Sequence, residues 1–193
     1  MMTRLLTAAA VSLLELSTLA TAAGPVLELR THTCNEGKLP SLHARFRDHT
    51  MRIFASHGMT NVIYWTPAGD KPSDTLVYLI AHDSRDAAKK SWAAFRKDPA
   101  WKKAYKESIA DGKIVKKVQS VFLDPTKYSP KQWTTPDAKK SDEPLVFEMR
   151  TYVCNDGKLD GLHARFRDHT MKLFEKHGIV NAFYSTPADE GKD

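Results

Sequence analysis

The sequence predicts an α+β protein built on a ferredoxin-like βαββαβ unit, duplicated in tandem with an incomplete second copy. Three observations carry that prediction: the chain aligns with itself at an offset of 120 residues, apolar positions alternate between strand and helix periods in the order β-α-β-β-α-β, and cap and turn residues separate the segments. Residues 26–68 and 146–188 align without a gap, and 27 of the 43 positions are identical. The octapeptide ARFRDHTM occurs at 44–51 and again at 164–171, CN-x-GKL starts at 34 and 154, HG at 57 and 177, and TPA at 66 and 186. Chance does not produce such agreement, so the repeat is a tandem duplication.

In the first copy, residues 26–33 (VLELRTHT) place Leu27, Leu29 and Thr31 on one face, as a half-buried strand does. The turn Cys34-Asn35-Glu36-Gly37 leads into a helix over 38–57. Leu39, Leu42, Phe46, Ile53, Phe54 and His57 recur there at three- and four-residue spacing, and Gly58 follows in the position that favours left-handed backbone. Arg45, Asp48, Arg52 and Ser56 fall on the opposite face. The copies differ at Arg52/Lys172, Ala55/Glu175 and Ser56/Lys176, all on the outer side, so the apolar stripe is a core contact. Residues 60–66 (TNVIYWT) make a second strand closed by Pro67-Ala68-Gly69-Asp70. A third strand, 75–82 (TLVYLIAH), is rich in branched and aromatic residues. Ser84 caps a helix carrying Ala88, Trp92 and Phe95; Asp98-Pro99 restarts it, with Trp101, Ala104, Tyr105 and Ile109 on one side as far as Asp111-Gly112. Residues 114–123 form the last strand. Such a sheet has helices on one face only, and its other face needs cover. Sheet-to-sheet packing of two units, as a homodimer or as an internal pseudo-dimer, is the expected cover.

The domain plan follows. Arg4, the apolar run 5–14 and the small residues Ala20, Thr21 and Ala22 read as a Sec signal peptide over 1–23, which places the mature chain in the periplasm or outside the cell. Glu15 leaves too short an apolar run for a span of about 20 residues. A complete unit occupies 24–123. A Pro- and Lys-rich linker, 124–144, holds Pro125, Pro130, Pro136 and Pro144 and is expected to be extended. Residues 145–193 are a partial second unit, βαβ only, without counterparts of 73–123, and read as a truncated copy. With 41% hydrophobic residues and 2 cysteines, the composition is that of a globular chain and excludes a disulfide-stapled mini-protein.

Chemistry-bearing residues are sparse. His43, His49 and His57 recur as His163, His169 and His177, but spacings of 6 and 8 do not converge on one ion as i, i+4 pairs do, so no metal site is expected. They are boundary histidines, or else a polar fringe to a cavity or a haem ligand. Tyr64, Trp65 and Tyr78 lie on strands and are core aromatics or cavity lining. The candidate cavity set is therefore His43, His49, Tyr64, Trp65, Tyr78, His169 and Tyr184. Arg45 and Asp48, identical in the second copy as Arg165 and Asp168, read as surface ion pairs worth under about 1 kcal/mol each. Between 85 and 117 there are 11 Lys or Arg against 4 Asp or Glu, so the chain's formal +6 is concentrated in one helical region. Lys89, Lys90, Arg96, Lys97, Lys102, Lys103 and Lys106 form this basic patch, which is a solvated face or a surface for anionic lipid or acidic partners. The signal peptide argues against nucleic acid. Cys34 and Cys154 occupy equivalent turns; a bridge needs their Cα atoms within about 7 Å, and the pairing stays open. The sequence holds no C-x-x-C, no Gly-rich phosphate loop and no G-x-S-x-G.

The segments ELRTHTCNEGKL, the helix ending in HG, the YWTP strand end and DSRDAAKKSWAAFRKDPAW together resemble the NIPSNAP family of dimeric α+β barrel proteins. The resemblance spans the 98 residues of the first unit and 48 of the second. It implies a ferredoxin-like barrel, often duplicated within one chain, and carries no settled reaction. The expectation is an exported binding or interaction module that takes a partner or a small apolar ligand in its inter-sheet cavity, without a cofactor. Two rivals stand beside it. One is a cofactor-independent oxygenase, isomerase-like or haem-binding enzyme on the same barrel, with His49 and Tyr64 as acid/base or ligand groups; the other is a peripheral binder of anionic membranes through the basic second helix.

Overall fold

The computed structural model describes residues 25–69, 73–131 and 146–188, so the proposed signal peptide and residues 132–145 of the linker lie outside the described residues. The first unit runs β1 (Val26–Cys34), α1 (Leu39–Arg45), a π-helical turn (Phe46–Thr50), α2 (Met51–Ser56), β2 (Thr60–Trp65), β3 (Thr75–His82), α3 (Arg85–Lys97), α4 (Pro99–Ser108) and β4 (Val115–Pro125). Its strands lie in the antiparallel order β2-β3-β1-β4, the ferredoxin-like arrangement the pattern predicts. The second unit contributes α5 (Leu159–Arg165), another π-helical turn (Phe166–Thr170), α6 (Met171–Lys176) and β5 (Ser185–Pro187). β5 adds to the outer edge of β4, with Leu123 opposite Pro187 and Pro125 opposite Ser185.

Strand alternation sorts β1 in a way that decides the site. Glu28 lies opposite Ile80 on β3 and Phe122 on β4, and Arg30 opposite Tyr78 and Ser120, so the polar residues of β1 share the helix-covered face. Leu27 and Leu29 face the other way. The helix-side core joins Leu42, Phe46, Ile53, Phe54, Tyr78, Ile80, Phe95 and Ile114, whereas the opposite face gathers Leu27, Leu79, Ala81 and Leu123, with Leu29, Ile63 and Trp65 packed against them. Phe183 of the second unit packs on that second cluster and covers part of the helix-free face.

The predicted single helix over 38–57 contains a π-helical turn, and the repeated octapeptide is the sequence that makes it. Met51 N–H bonds Phe46 O five residues back, and Met171 repeats this with Phe166. The extra residue in the turn delays the helical phase. It rotates His49 out to solvent and swings Thr50 into the core, where its hydroxyl donates to Arg45 O at 3.1 Å. Gly58 (φ 74°) and Gly178 (φ 77°) then end both helices in left-handed backbone, and Met59 N–H closes onto Phe54 O.

Three readings are corrected. Arg45 is buried, 5% exposed, and not a surface ion-pair partner; α4 crosses the flank of α1, so Ser108 accepts from Arg45 Nη1 at 3.1 Å and the Trp101 and Tyr105 rings lie about 5.5 Å from its guanidinium. Asp48 pairs with the adjacent Arg47 instead. The last strand extends to Pro125, past the predicted end at residue 123, because β5 continues its ladder and Thr126 N–H reaches Tyr184 O. Finally, residues 146–153 form no strand, unlike their copy β1. β1 is held by β3 and β4 on its two sides, and the second copy has no equivalent of either; a strand without neighbours does not persist.

Candidate functional site

Between the helices and the sheet lies a cleft of about 540 Å³. Glu28, Arg30 and His32 of β1, Tyr78 of β3 and Ser120 and Phe122 of β4 line it from the sheet. Arg45, Phe46, Thr50 and Phe54 line it from the first helix, and Lys89, Trp92, Phe95, Arg96 and Trp101 from α3 and α4. A cleft of this size, largely aromatic with a few convergent polar groups, is the usual form of a small-molecule site.

At its polar end stands Glu28, 1% exposed. Its Oε1 accepts from Arg30 Nη1 (2.6 Å) and Ser120 Oγ (2.6 Å), and its Oε2 accepts from Trp92 Nε1 (2.7 Å) and His82 Nε2 (3.0 Å). Burial alone would raise the Glu28 carboxyl, but the four donors, led by His82 and Arg30, outweigh it and pull the group down to about 2. Arg30 also lies 4.3 Å over the Trp92 ring and donates Nε–H to the Tyr78 hydroxyl at 2.9 Å. The Tyr78 hydroxyl in turn meets His32 Nε2 at 3.2 Å. Burial, with Arg30 and Arg45 nearby, lowers His32 to about 3, so its imidazole is neutral at pH 7. Since the Tyr78 oxygen already accepts from Arg30, its proton goes to His32 Nε2; the network assigns the imidazole proton to Nδ1.

The expected cavity residues are split by this geometry. Tyr78 lines the cleft, and Tyr64 stacks on it (ring centres 5.2 Å apart, 12° between planes) while its own hydroxyl donates to Asn61. Burial pushes both phenols upward. Trp65 faces the opposite side of the sheet, packed with Leu27 and Leu79, because neighbouring strand residues point to opposite faces. His49 and His169 are exposed, and half-buried His43 meets Thr66 Oγ1 at 3.4 Å; none of the three lines the cleft, so His49 and Tyr64 do not form an acid/base pair there. Tyr184 sits in the second unit against Phe166 and Tyr128. His57 donates to, or pairs with, Asp98, the residue that caps α4 by accepting from Ala100 and Trp101 N–H. Lys89, Lys90, Arg96, Lys97, Lys102, Lys103 and Lys106 are all exposed, and Lys89 and Arg96 stand at the cleft. Cys34 and Cys154 are both free. Among the described residues, no group of three His, Cys, Asp or Glu could hold a metal ion, and no helix is long and apolar enough to cross a membrane.

Glu28, Arg30, His32, Arg45, Trp92 and Ser120 went unnominated in the sequence. One signal was present: Glu-x-Arg on the first strand recurs as Glu148-x-Arg150, although its neighbours Leu27 and Leu29 change to Phe147 and Met149. Polar alternation on a strand was read as an exposed edge of the pattern, whereas both faces of β1 are covered.

A ferredoxin-like sheet with one helical layer and an aromatic, charged cleft beneath it defines a two-layer α+β protein with a built-in cavity. The chain belongs to the NIPSNAP family, whose profile matches residues 27–130. Among solved structures, a NIPSNAP-like domain protein from Burkholderia xenovorans of uncharacterised role aligns with a TM-score of 0.50 at 14% identity, over 61% of this chain and 98% of that one. A NIPSNAP family protein of unknown function from Agrobacterium tumefaciens aligns at 0.48 and 23% identity, over 56% and 94% of the two chains. A second Burkholderia xenovorans NIPSNAP domain protein gives 0.48 and 21%, over 55% and 99%. These likenesses concern the fold. A comparison with curated proteins finds no match.

Proposed function

We propose that the protein is a small-molecule binding module and that the helix–sheet cleft, not a cavity between two sheets, is its site. One observation carries this reading: buried charged side chains, Glu28, Arg30 and Arg45, converge on a space of about 540 Å³ instead of being replaced by apolar packing. Burying charges is costly, and a fold that needed only stability gains as much from apolar residues of the same size. Glu28 is fully occupied in holding Arg30, Trp92, His82 and Ser120. It therefore acts as a positioning residue that fixes the wall of the cleft.

Trp92 and Trp101 both line the cleft, whereas Trp65 lies on the other face of the sheet, so tryptophan fluorescence reports occupancy. Titration of the full chain with a panel of small organic acids, alcohols and amines is expected to change the emission. Trp92→Phe combined with Trp101→Phe is expected to remove most of that change, while Trp65→Phe leaves it. A panel in which no compound alters the emission, or a response that survives in the double variant, sinks the cleft reading.

A further inference from the structure

We infer that the ligand of this cleft carries an anionic, acceptor-rich head group of the carboxylate type, held by Arg45 and His32, on a flat apolar body lying against Phe54, Trp92, Phe95 and Trp101. This rests on the cleft being a ligand site, and it adds the chemistry of what enters.

The donors and acceptors of the lining do not balance. Glu28 is the one carboxylate among the residues that line the cleft, and both of its oxygens already accept two hydrogen bonds each. No acceptor of charge is left for a cationic ligand. On the donor side, His32 Nδ1 and Arg45 Nε are buried atoms without a hydrogen-bond partner, on side chains 9% and 5% exposed. The Tyr78 hydroxyl proton occupies His32 Nε2, which leaves Nδ1 as an N–H, and a guanidinium Nε always carries its hydrogen. Two N–H donors on cleft residues thus lack an acceptor. Buried polar groups are otherwise paired in folded proteins, so each such group asks for a partner.

Charge points the same way. Arg30 is neutralised by Glu28 at 2.6 Å, but Arg45 has no carboxylate partner and spends one N–H on Ser108. Lys89 and Arg96 add two exposed cations at the cleft. An anion entering past them would meet rising positive potential and finish against Arg45, where a charge-assisted hydrogen bond in a partly dry site is stronger than a neutral one. The aromatic walls then accept an apolar body of modest size.

The second copy supplies a contrast within the same chain. Tyr152 replaces His32 there, and Arg165, the copy of Arg45, is exposed beside Phe166. The same helix without the sheet wall assembles no such donor pair.

The experiment uses the full chain and matched probes: benzoate with benzyl alcohol, naphthoate with naphthylmethanol, and decanoate with decanol, each titrated by calorimetry. For at least one pair the acid is expected to bind tenfold or more tightly than the alcohol. Arg45→Gln is expected to shrink that ratio below threefold, and Lys103→Gln, remote and exposed, to leave it unchanged. If Arg45→Gln does not fold, Arg45→Lys keeps the charge but loses the Nε–H, and at least a threefold loss for the acid is expected. Equal affinity for acid and alcohol overturns the anionic head group while leaving the cleft a binding site. An acid preference that survives both Arg45 variants also overturns it, since the basic surface would then be the cause. Failure of every probe to bind removes the cleft reading and this inference together.

Discussion

The two copies of the repeat are a controlled comparison inside one chain. ARFRDHTM folds into the same π-interrupted helix in both, with the same five-residue bond from Met51 to Phe46 and from Met171 to Phe166. The strand before it behaves differently. Glu28 and Arg30 form a pair whose side chains are 2% and 18% exposed, while the identical pair Glu148–Arg150 is 71% and 54% exposed on a segment that forms no strand. Local sequence is therefore sufficient for the helix, whose hydrogen bonds close within a few residues. It is insufficient for a buried charge cluster, because Tyr78, His82, Trp92 and Ser120 come from elements that the second copy lacks.

The comparison can be broken most directly at its acidic member. Glu28→Gln leaves Arg30 buried without its counter-charge and is expected to cost about 3–5 kcal/mol in chemical denaturation. Glu148→Gln is expected to cost under about 1 kcal/mol, as for any exposed pair. Equal losses at the two sites would show that the second pair is buried too.

Acid should act on the first copy alone. His32 has a folded value near 3 against 6.5 for a free histidine, so the unfolded chain binds the proton first, and stability is present above pH 6.5 and lost as pH falls from there toward 3. Glu28 falls from 4.5 to about 2 on folding, so its contribution is present above pH 4.5 and disappears as pH drops toward 2. Unfolding free energy measured against pH should thus begin to decline below 6.5. Glu28→Gln should remove the lower part of that decline, and a profile still flat at pH 4 would contradict the buried neutral His32.

The smallest expected difference lies in the π-helical turns. Thr50 is 1% exposed and its hydroxyl donates to Arg45 O, so Thr50→Val should cost about 1 kcal/mol. Thr170 is half-buried, and Thr170→Val is expected to change stability by only a few tenths of that in the same denaturation measurement. If the two substitutions cost the same, the hydroxyl serves the turn itself rather than the packing around Arg45.

Much of the fold was legible because its signals are short-range. Strand alternation at 26–33, the apolar stripe through Leu42, Phe46 and Phe54, the Asp98-Pro99 cap and the HG helix end each involve residues within a few positions of one another. The site was not legible for the opposite reason. His49 was placed at the edge of the apolar stripe by a uniform 100° period, and the π-helical turn removed it. Arg45 looked like a surface residue because no local pattern announces that α4 will cross above it.

By itself, then, the sequence determined the duplication, the order of the elements and the apolar core, since each is written in spacing along the chain. Only the tertiary structure decided that Glu28, Arg30, His32 and Arg45 meet around one cleft. Glu28 and Ser120 are 92 residues apart, and β4 must lie beside β1 before the carboxylate finds that hydroxyl. A buried charge is tolerable only when such distant partners arrive together, and no local propensity records whether they will.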